Sequence, residues 1–216
     1  MAFIVPPPRS SPDAGPGRAG PGPVAPGLSA PAAPGPTALA RWYERELGWA
    51  TEGRAPVRLL TGVGFDVLEL PAEAGHALLR RPVRTGPVLL SGGRIGLLVA
   101  AGGADELPGL LDWLEWGPIA LDLTALGTGG RVTAPSPWVG GAGSPGAAVW
   151  LRPPEPRRTP GTALPAFTGF GSSGGDAPDL VRLVDAAATE CHRVRLSHAR
   201  AGLRNSSPAD QPLAFS

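Results

Sequence analysis

The chain has one cysteine, Cys191, no lysine, one tyrosine and one methionine among its 216 residues. A lone cysteine excludes an internal disulfide framework and a zinc site built on cysteines, and it suits a reducing compartment. Without lysine, all 19 basic residues are arginine. Guanidinium groups suit bidentate recognition of phosphate or carboxylate, but the codon usage of a GC-rich genome accounts for an arginine-only chain, and no function is read from it. Charge of one sign is also scarce: the net charge is +1, so no long-range field draws the whole chain to nucleic acid or to a membrane surface. Any nucleic-acid site must be local. Long apolar runs are missing too, none approaching the ~18 residues of a membrane span. The opening "MAFIVPPPRS" has neither a charged n-region nor an apolar core of useful length. The expectation is a cytoplasmic protein with no membrane partner.

Glycine and proline are abundant instead, 32 and 28 residues, and their placement divides the chain. From Pro6 to Pro36 the sequence "PPPRSSPDAGPGRAGPGPVAPGLSAPAAPGP" has no periodicity and almost no large apolar side chain. Burial there cannot offset the entropy of ordering. Residues 1–36 therefore read as a disordered Pro/Gly-rich arm of polyproline character, whose natural partner is a protein with an aromatic-lined groove. The remaining length, at 42% hydrophobic content overall, supports one domain with a real core.

Within 37–154 the pattern predicts an α+β body. "TALARWYERELGWA" predicts a helix capped by Thr37 and stopped at Gly48, with Leu39, Trp42, Tyr43 and Leu47 at helical spacing. "PVRLLTG" and "GFDVLELP" predict two strands joined by a tight turn, and "AEAGHALLRR" a helical turn. A hairpin follows, Val88 to Leu90 and Ile95 to Ala100, turning at Gly92 and Gly93. "ADELPGLLDWLEWG" predicts a second amphipathic helix ending at Gly117, then come a strand "PIALDLTAL", a tight hairpin turn "GTGG", a strand "RVTAP" and a last strand in "AAVWLRPP". Residues 155–177 read as a flexible linker. Residues 178–200 read as a closing helix with Leu180, Val184, Ala187, Cys191 and Val194 on one face and Leu183 beside them, followed by a tail, 201–216. The order of elements argues for a single domain with a mixed or mostly antiparallel sheet flanked by helices. The tryptophans at 42, 49, 113, 116, 138 and 150 are the large core candidates.

Three segments, "TGVGFDVLELP", "SGGRIGLLVAAG" and "ALDLTALGTGGRVTAPSP" with the later "GAAVWLRPP", resemble in order and spacing the N-terminal domain of bifunctional DNA primase/polymerases, the prim-pol branch of the archaeo-eukaryotic primase superfamily. Within that branch it is similar to the short, degenerate actinobacterial members. The resemblance covers roughly Ala38 to Pro153. It implies a nucleotidyl-transfer site: two acids one residue apart on a strand, a histidine on the next hairpin and a third carboxylate on a later strand, together holding Mg²⁺ or Mn²⁺. Side chains two apart on a strand share a face and can reach the same ions, which position and neutralise nucleotide phosphates.

This sequence departs from that pattern. Asp66 and Glu69 are three apart, so a regular strand turns them to opposite faces; Leu97 or Leu98 falls where the histidine belongs. Only Asp122 stands where the third carboxylate is expected, as the candidate metal ligand, with Arg94 or Arg131 available to partner it. The expected catalytic residues are thus Asp122, Glu69 and Asp66, and the expected phosphate-binding residues are Arg94, Arg131, Gly129 and Gly130.

Three readings follow: a degenerate prim-pol domain that keeps nucleotide or nucleic-acid binding, an active enzyme whose Asp66 and Glu69 are realigned by a β-bulge, and a non-enzymatic adaptor working through the proline-rich arm. Outside these sets, His76, His192 and His198 suit surface or capping roles and Cys191 a small buried hydrophobe. The stretch from His192 to Arg204 is rich in arginine and is either a solvated helix end or a phosphate contact.

Overall fold

The computed structural model describes residues 35–137, 147–155, 164–167 and 179–205. The proline-rich arm up to residue 34, Trp138, most of the linker and the tail from residue 206 lie outside the described residues. In chain order the elements are α1 (Pro36–Trp42) with a π-helical extension (Tyr43–Leu47), β1 (Thr51–Glu52), β2 (Arg58–Leu60), β3 (Asp66–Pro71), α2 (Ala72–Leu79), β4 (Val88–Ser91), β5 (Arg94–Val99), α3 (Gly103–Trp113), β6 (Thr124–Leu126), β7 (Arg131–Thr133), β8 (Val149–Arg152) and α4 (Leu180–Asn205). The architecture is α+β. Its strands form two antiparallel sheets, β1-β2-β7 and β6-β3-β5-β4-β8.

The larger sheet grows from the β4–β5 hairpin, where Gly92 (φ 56°) and Gly93 (φ 80°) adopt the left-handed backbone that a two-residue loop with the right strand twist needs. Strand β3 lies between β5 and β6. Both faces of this central strand are covered, so its burial from Asp66 to Leu70 is nearly unbroken rather than a clean alternation. Leu68, Leu70, Ile95, Leu97 and Val99 point to one side, against Ala74 and Leu78 of α2, Leu107 and Leu110 of α3, and Leu180, Leu183, Val184, Ala187, Cys191 and Val194 of α4. Phe65, Val67, Leu89 and Leu98 belong to the other side, with Tyr43, Leu47, Trp49, Leu59 and Val132. The five-stranded sheet is therefore the middle of three layers, helices on one face and the small sheet with α1 on the other. Each fully buried leucine contributes roughly 2–3 kcal/mol of transfer free energy.

Several local expectations are corrected, each by tertiary bonding. The strands β2 and β3 both form but belong to different sheets, and so do β6 and β7. The expected tight β2–β3 turn forms, Gly62 N–H donating to Phe65 O at 2.9 Å, but it joins strands of different sheets, and "GTGG" is a crossover between sheets instead of a hairpin; the two connections run against one another. Thr61 N–H donates to the Gly130 carbonyl at 3.1 Å, and the Thr61 hydroxyl donates to the Gly127 carbonyl.

Of "PIALDLTAL" only Thr124–Leu126 is strand. The carbonyls ahead of it are taken by α4, with Arg195 Nη1 donating to Ala120 O at 2.8 Å and the Cys191 thiol facing Asp122 O at 3.6 Å. Helix α1 begins at Pro36 with Gly35 as its cap, not at Thr37, because proline is preorganised for a first helical position. Helix α3 stops at Trp113, short of Gly117. Glu115 (φ 64°) takes the left-handed position, while Trp116 N–H returns to Leu111 O and Glu115 N–H to Asp112 O, a Schellman closure. The helix end leaves Trp113 59% exposed, so of the expected core tryptophans this one faces outward.

Candidate functional site

Antiparallel register brings the candidate residues together at one end of the five-stranded sheet. Glu69 stands opposite Gly96 on β5 and Thr124 on β6, and Pro71 stands opposite Arg94. Partners across an antiparallel pair share a face, so Glu69 and Arg94 project on the side away from α4. Asp122 sits two residues ahead of Thr124, in a bend rather than a strand. Arg94 links the two acids: its Nη1 donates to Asp122 Oδ1 at 2.8 Å, its Nη2 donates to the Glu69 carbonyl at 3.2 Å, and its Nε lies 4.0 Å from Glu69 Oε2. The Asp122 side chain is 61% exposed, so the pair is a surface ion pair of at most about 1 kcal/mol.

Helix α4 holds this bend from behind. Burial, reinforced by the negative charge of Asp122, pushes the Cys191 thiol up to about 12, with Arg94 acting in the opposite direction. The thiol is therefore neutral at physiological pH and packs as a small apolar group. Arg195, one helical turn beyond Cys191, anchors Ala120. Sequence reasoning missed Arg195 as a positioning residue, although its i, i+4 relation to an inward-facing cysteine was the available signal.

Asp66 is elsewhere. It lies on the face of β3 turned to the helices, is 1% exposed, and its Oδ2 accepts a hydrogen bond from Ala104 N–H at 3.0 Å. Ala104 belongs to the first turn of α3, whose own cap residue, Gly102, has no side chain to offer. Asp66 therefore caps α3 from a neighbouring strand, where the helix dipole also favours its charge. Its Oδ1 is buried and has no hydrogen-bond partner among the described residues. Replacing Asp66 by Ala is expected to lower stability by about 1–2 kcal/mol in urea denaturation. Asp66→Asn, which keeps an acceptor oxygen, is expected to cost less; an alanine variant as stable as the parent would remove the capping role.

The remaining candidates are also separated from Arg94. Arg131 belongs to the small sheet, where its Nη1 pairs with Glu52 Oε2 at 2.7 Å. Gly130 N–H is spent within its own turn on Gly127 O at 3.0 Å, and a methyl group at Gly130 would lie 2.6 Å from the Thr61 hydroxyl. Gly130 permits the close passage of two crossovers, while Gly129 has open space beside it. His76 is exposed, His192 packs its ring against Trp116 at 5.8 Å, and His198 Nε2 lies 3.2 Å from Glu73 Oε2. Among the described residues no three His, Cys, Asp or Glu side chains are grouped so as to hold a metal ion, and no helix is long and apolar enough to cross a membrane.

No family model, no curated protein and no solved structure matches this chain.

Proposed function

We propose that this chain is a DNA primase/polymerase-like domain protein of the cytoplasm that no longer polymerises and acts by binding nucleotide or nucleic acid. The observation that carries this reading is the position of Arg94. A metal-dependent nucleotidyl transferase needs carboxylate oxygens turned toward shared divalent ions, which neutralise the phosphates in the transition state. At the sheet end where the resemblance locates those acids, a guanidinium tethered to β5 pairs with Asp122 and lies beside Glu69. Being covalently attached, it competes with any ion for the same oxygens. Asp66 is committed to the other face as the cap of α3. Two carboxylates held by an arginine are suited to orienting a surface, not to two-metal chemistry. The buried lone thiol agrees with a reducing compartment.

Primer extension by the full chain with Mn²⁺ and all four deoxynucleotides tests the reading. The expected result is no product above that given by Asp122→Ala. Incorporation that disappears in the Asp122→Ala protein would overturn it and restore the enzyme.

A further inference from the structure

Helix α4 spans 26 residues, about 39 Å at 1.5 Å per residue, and is longer than the sheet end it covers. Its buried side chains end at Val194, and every residue from Arg195 to Arg204 is exposed. From Cys191 to Arg204 the helix carries four arginines and two histidines without a single carboxylate. Those four positive charges exceed the net +1 of the whole chain, so the projecting end is the kind of local basic site that an almost neutral chain needs in order to meet a polyanion.

The arrangement is directional. At 100° per residue, Arg193, Arg200 and Arg204 fall within about 40° of arc, a single stripe about 16 Å long on the solvent side. Arg193 is shared with Glu190 at 3.2 Å, whereas Arg200 and Arg204 form no ion pair among the described residues. On the opposite, core-facing side of the helix, Arg195 is bound to the Ala120 carbonyl and His198 to Glu73, which fixes the rotation of the helix and aims the stripe outward.

We infer that this arginine stripe is a docking site for the phosphate backbone of double-stranded nucleic acid. The inference rests on the binding half of the function proposed above and assigns that binding to α4 instead of the sheet. Planar guanidinium groups in a row match phosphate oxygens bidentately. A straight narrow stripe follows a backbone. The only large apolar side chains exposed on the described projecting end are Leu196 and Leu203, 41% and 73% exposed, too little for the broad apolar face by which a helix lies in a lipid surface. No Phe, Tyr or Trp lies between residues 191 and 204, and the two imidazoles there are engaged, His192 with Trp116 and His198 with Glu73, so there is no stacking platform for unpaired bases; the contact is to the duplex backbone and carries no sequence preference.

The test uses the full chain and a labelled DNA duplex of about 20 base pairs, followed by fluorescence anisotropy from about 50 to 200 mM salt. Binding is expected at the low end, weakening steeply with salt. In Arg200→Gln/Arg204→Gln the slope of log affinity against log salt should fall by about 2, one for each phosphate contact removed. The exposed pair Arg54→Gln/Arg58→Gln, on the small-sheet side, removes the same charge and should leave the slope unchanged. Three results would overturn the inference: no duplex binding at low salt, an unchanged slope in the α4 variant, or binding to anionic lipid vesicles without binding to DNA. Duplex binding that survives the α4 variant but falls with Arg54→Gln/Arg58→Gln would move the site to the small sheet and leave the proposed function standing. Primer extension is read separately, so failure of the stripe and failure of the non-polymerising reading are distinct.

Discussion

Replacing Tyr43 by Phe is expected to destabilise the protein by about 2–4 kcal/mol, the cost of leaving two buried polar groups without partners. Tyr43 is completely buried. Its hydroxyl donates to Pro135 O at 2.6 Å and accepts from Trp150 Nε1 at 2.9 Å. One oxygen thereby joins the π-helical turn after α1, the segment following β7, and the edge strand β8. Burial raises the phenol above its ordinary range, so it is a neutral donor at physiological pH. The loss would lower the melting temperature by roughly 10 °C in a domain of this size. Trp150→Phe in the Tyr43→Phe background should cost less than in the parent, because the indole N–H has already lost its acceptor. Strict additivity of the two substitutions would mean that the hydroxyl and the indole do not act together.

Gly62→Ala is expected to be the most damaging small substitution, at about 4 kcal/mol. Gly62 has φ +91°, outside the left-handed region that alanine tolerates, and a methyl there would lie 2.3 Å from Thr128 Cα and 2.7 Å from its N. Backbone strain accounts for about 1–3 kcal/mol, and the clash with main chain, which cannot rotate away, for the rest. The residue lies where the β2–β3 crossover meets the β6–β7 crossover. Gly129, also at positive φ (+80°) but with nothing near its missing side chain, provides the comparison: alanine there should cost about 1 kcal/mol. Chemical denaturation of both variants checks the pair, and equal losses would show that the crowding at Thr128 is relieved by a shift of the loop.

These two sites also mark what sequence reasoning can and cannot reach. The β4–β5 hairpin was legible because the Gly92–Gly93 pair is a local instruction, satisfied within the turn. So was the inner face of α4, since Leu180, Val184, Ala187, Cys191 and Val194 share one side of a helix whatever they pack against. The opposite orientation of Asp66 and Glu69 followed from the two-residue period of a strand. Nothing local could show that Asp66 caps α3, because its partner, Ala104, is 38 residues away. The pairing of Asp122 with Arg94 was one of two that the sequence allowed; the register of β3 with β5 and β6 chose it, while the β1-β2-β7 sheet took Arg131 to Glu52.

The glycine turn after β6 illustrates the remaining difference. Flanked by strand-forming residues, "GTGG" reads as a hairpin, since short-range rules describe the bend but not the sheet to which each arm belongs. Which sheet receives β7 was decided by pairing with β2, from Arg58↔Thr133 to Leu60↔Arg131, and by Thr61 binding back to Gly127 and Gly130. The sequence by itself determined the α+β class, the hairpin and the amphipathic closing helix, all of which depend on residue type and spacing along the chain. Tertiary structure alone decided that the sheet is split in two, that Arg94 is the counterion of Asp122, and that α4 projects its arginines beyond the core. Those outcomes depend on pairings between distant segments, whose free energies no single segment contains.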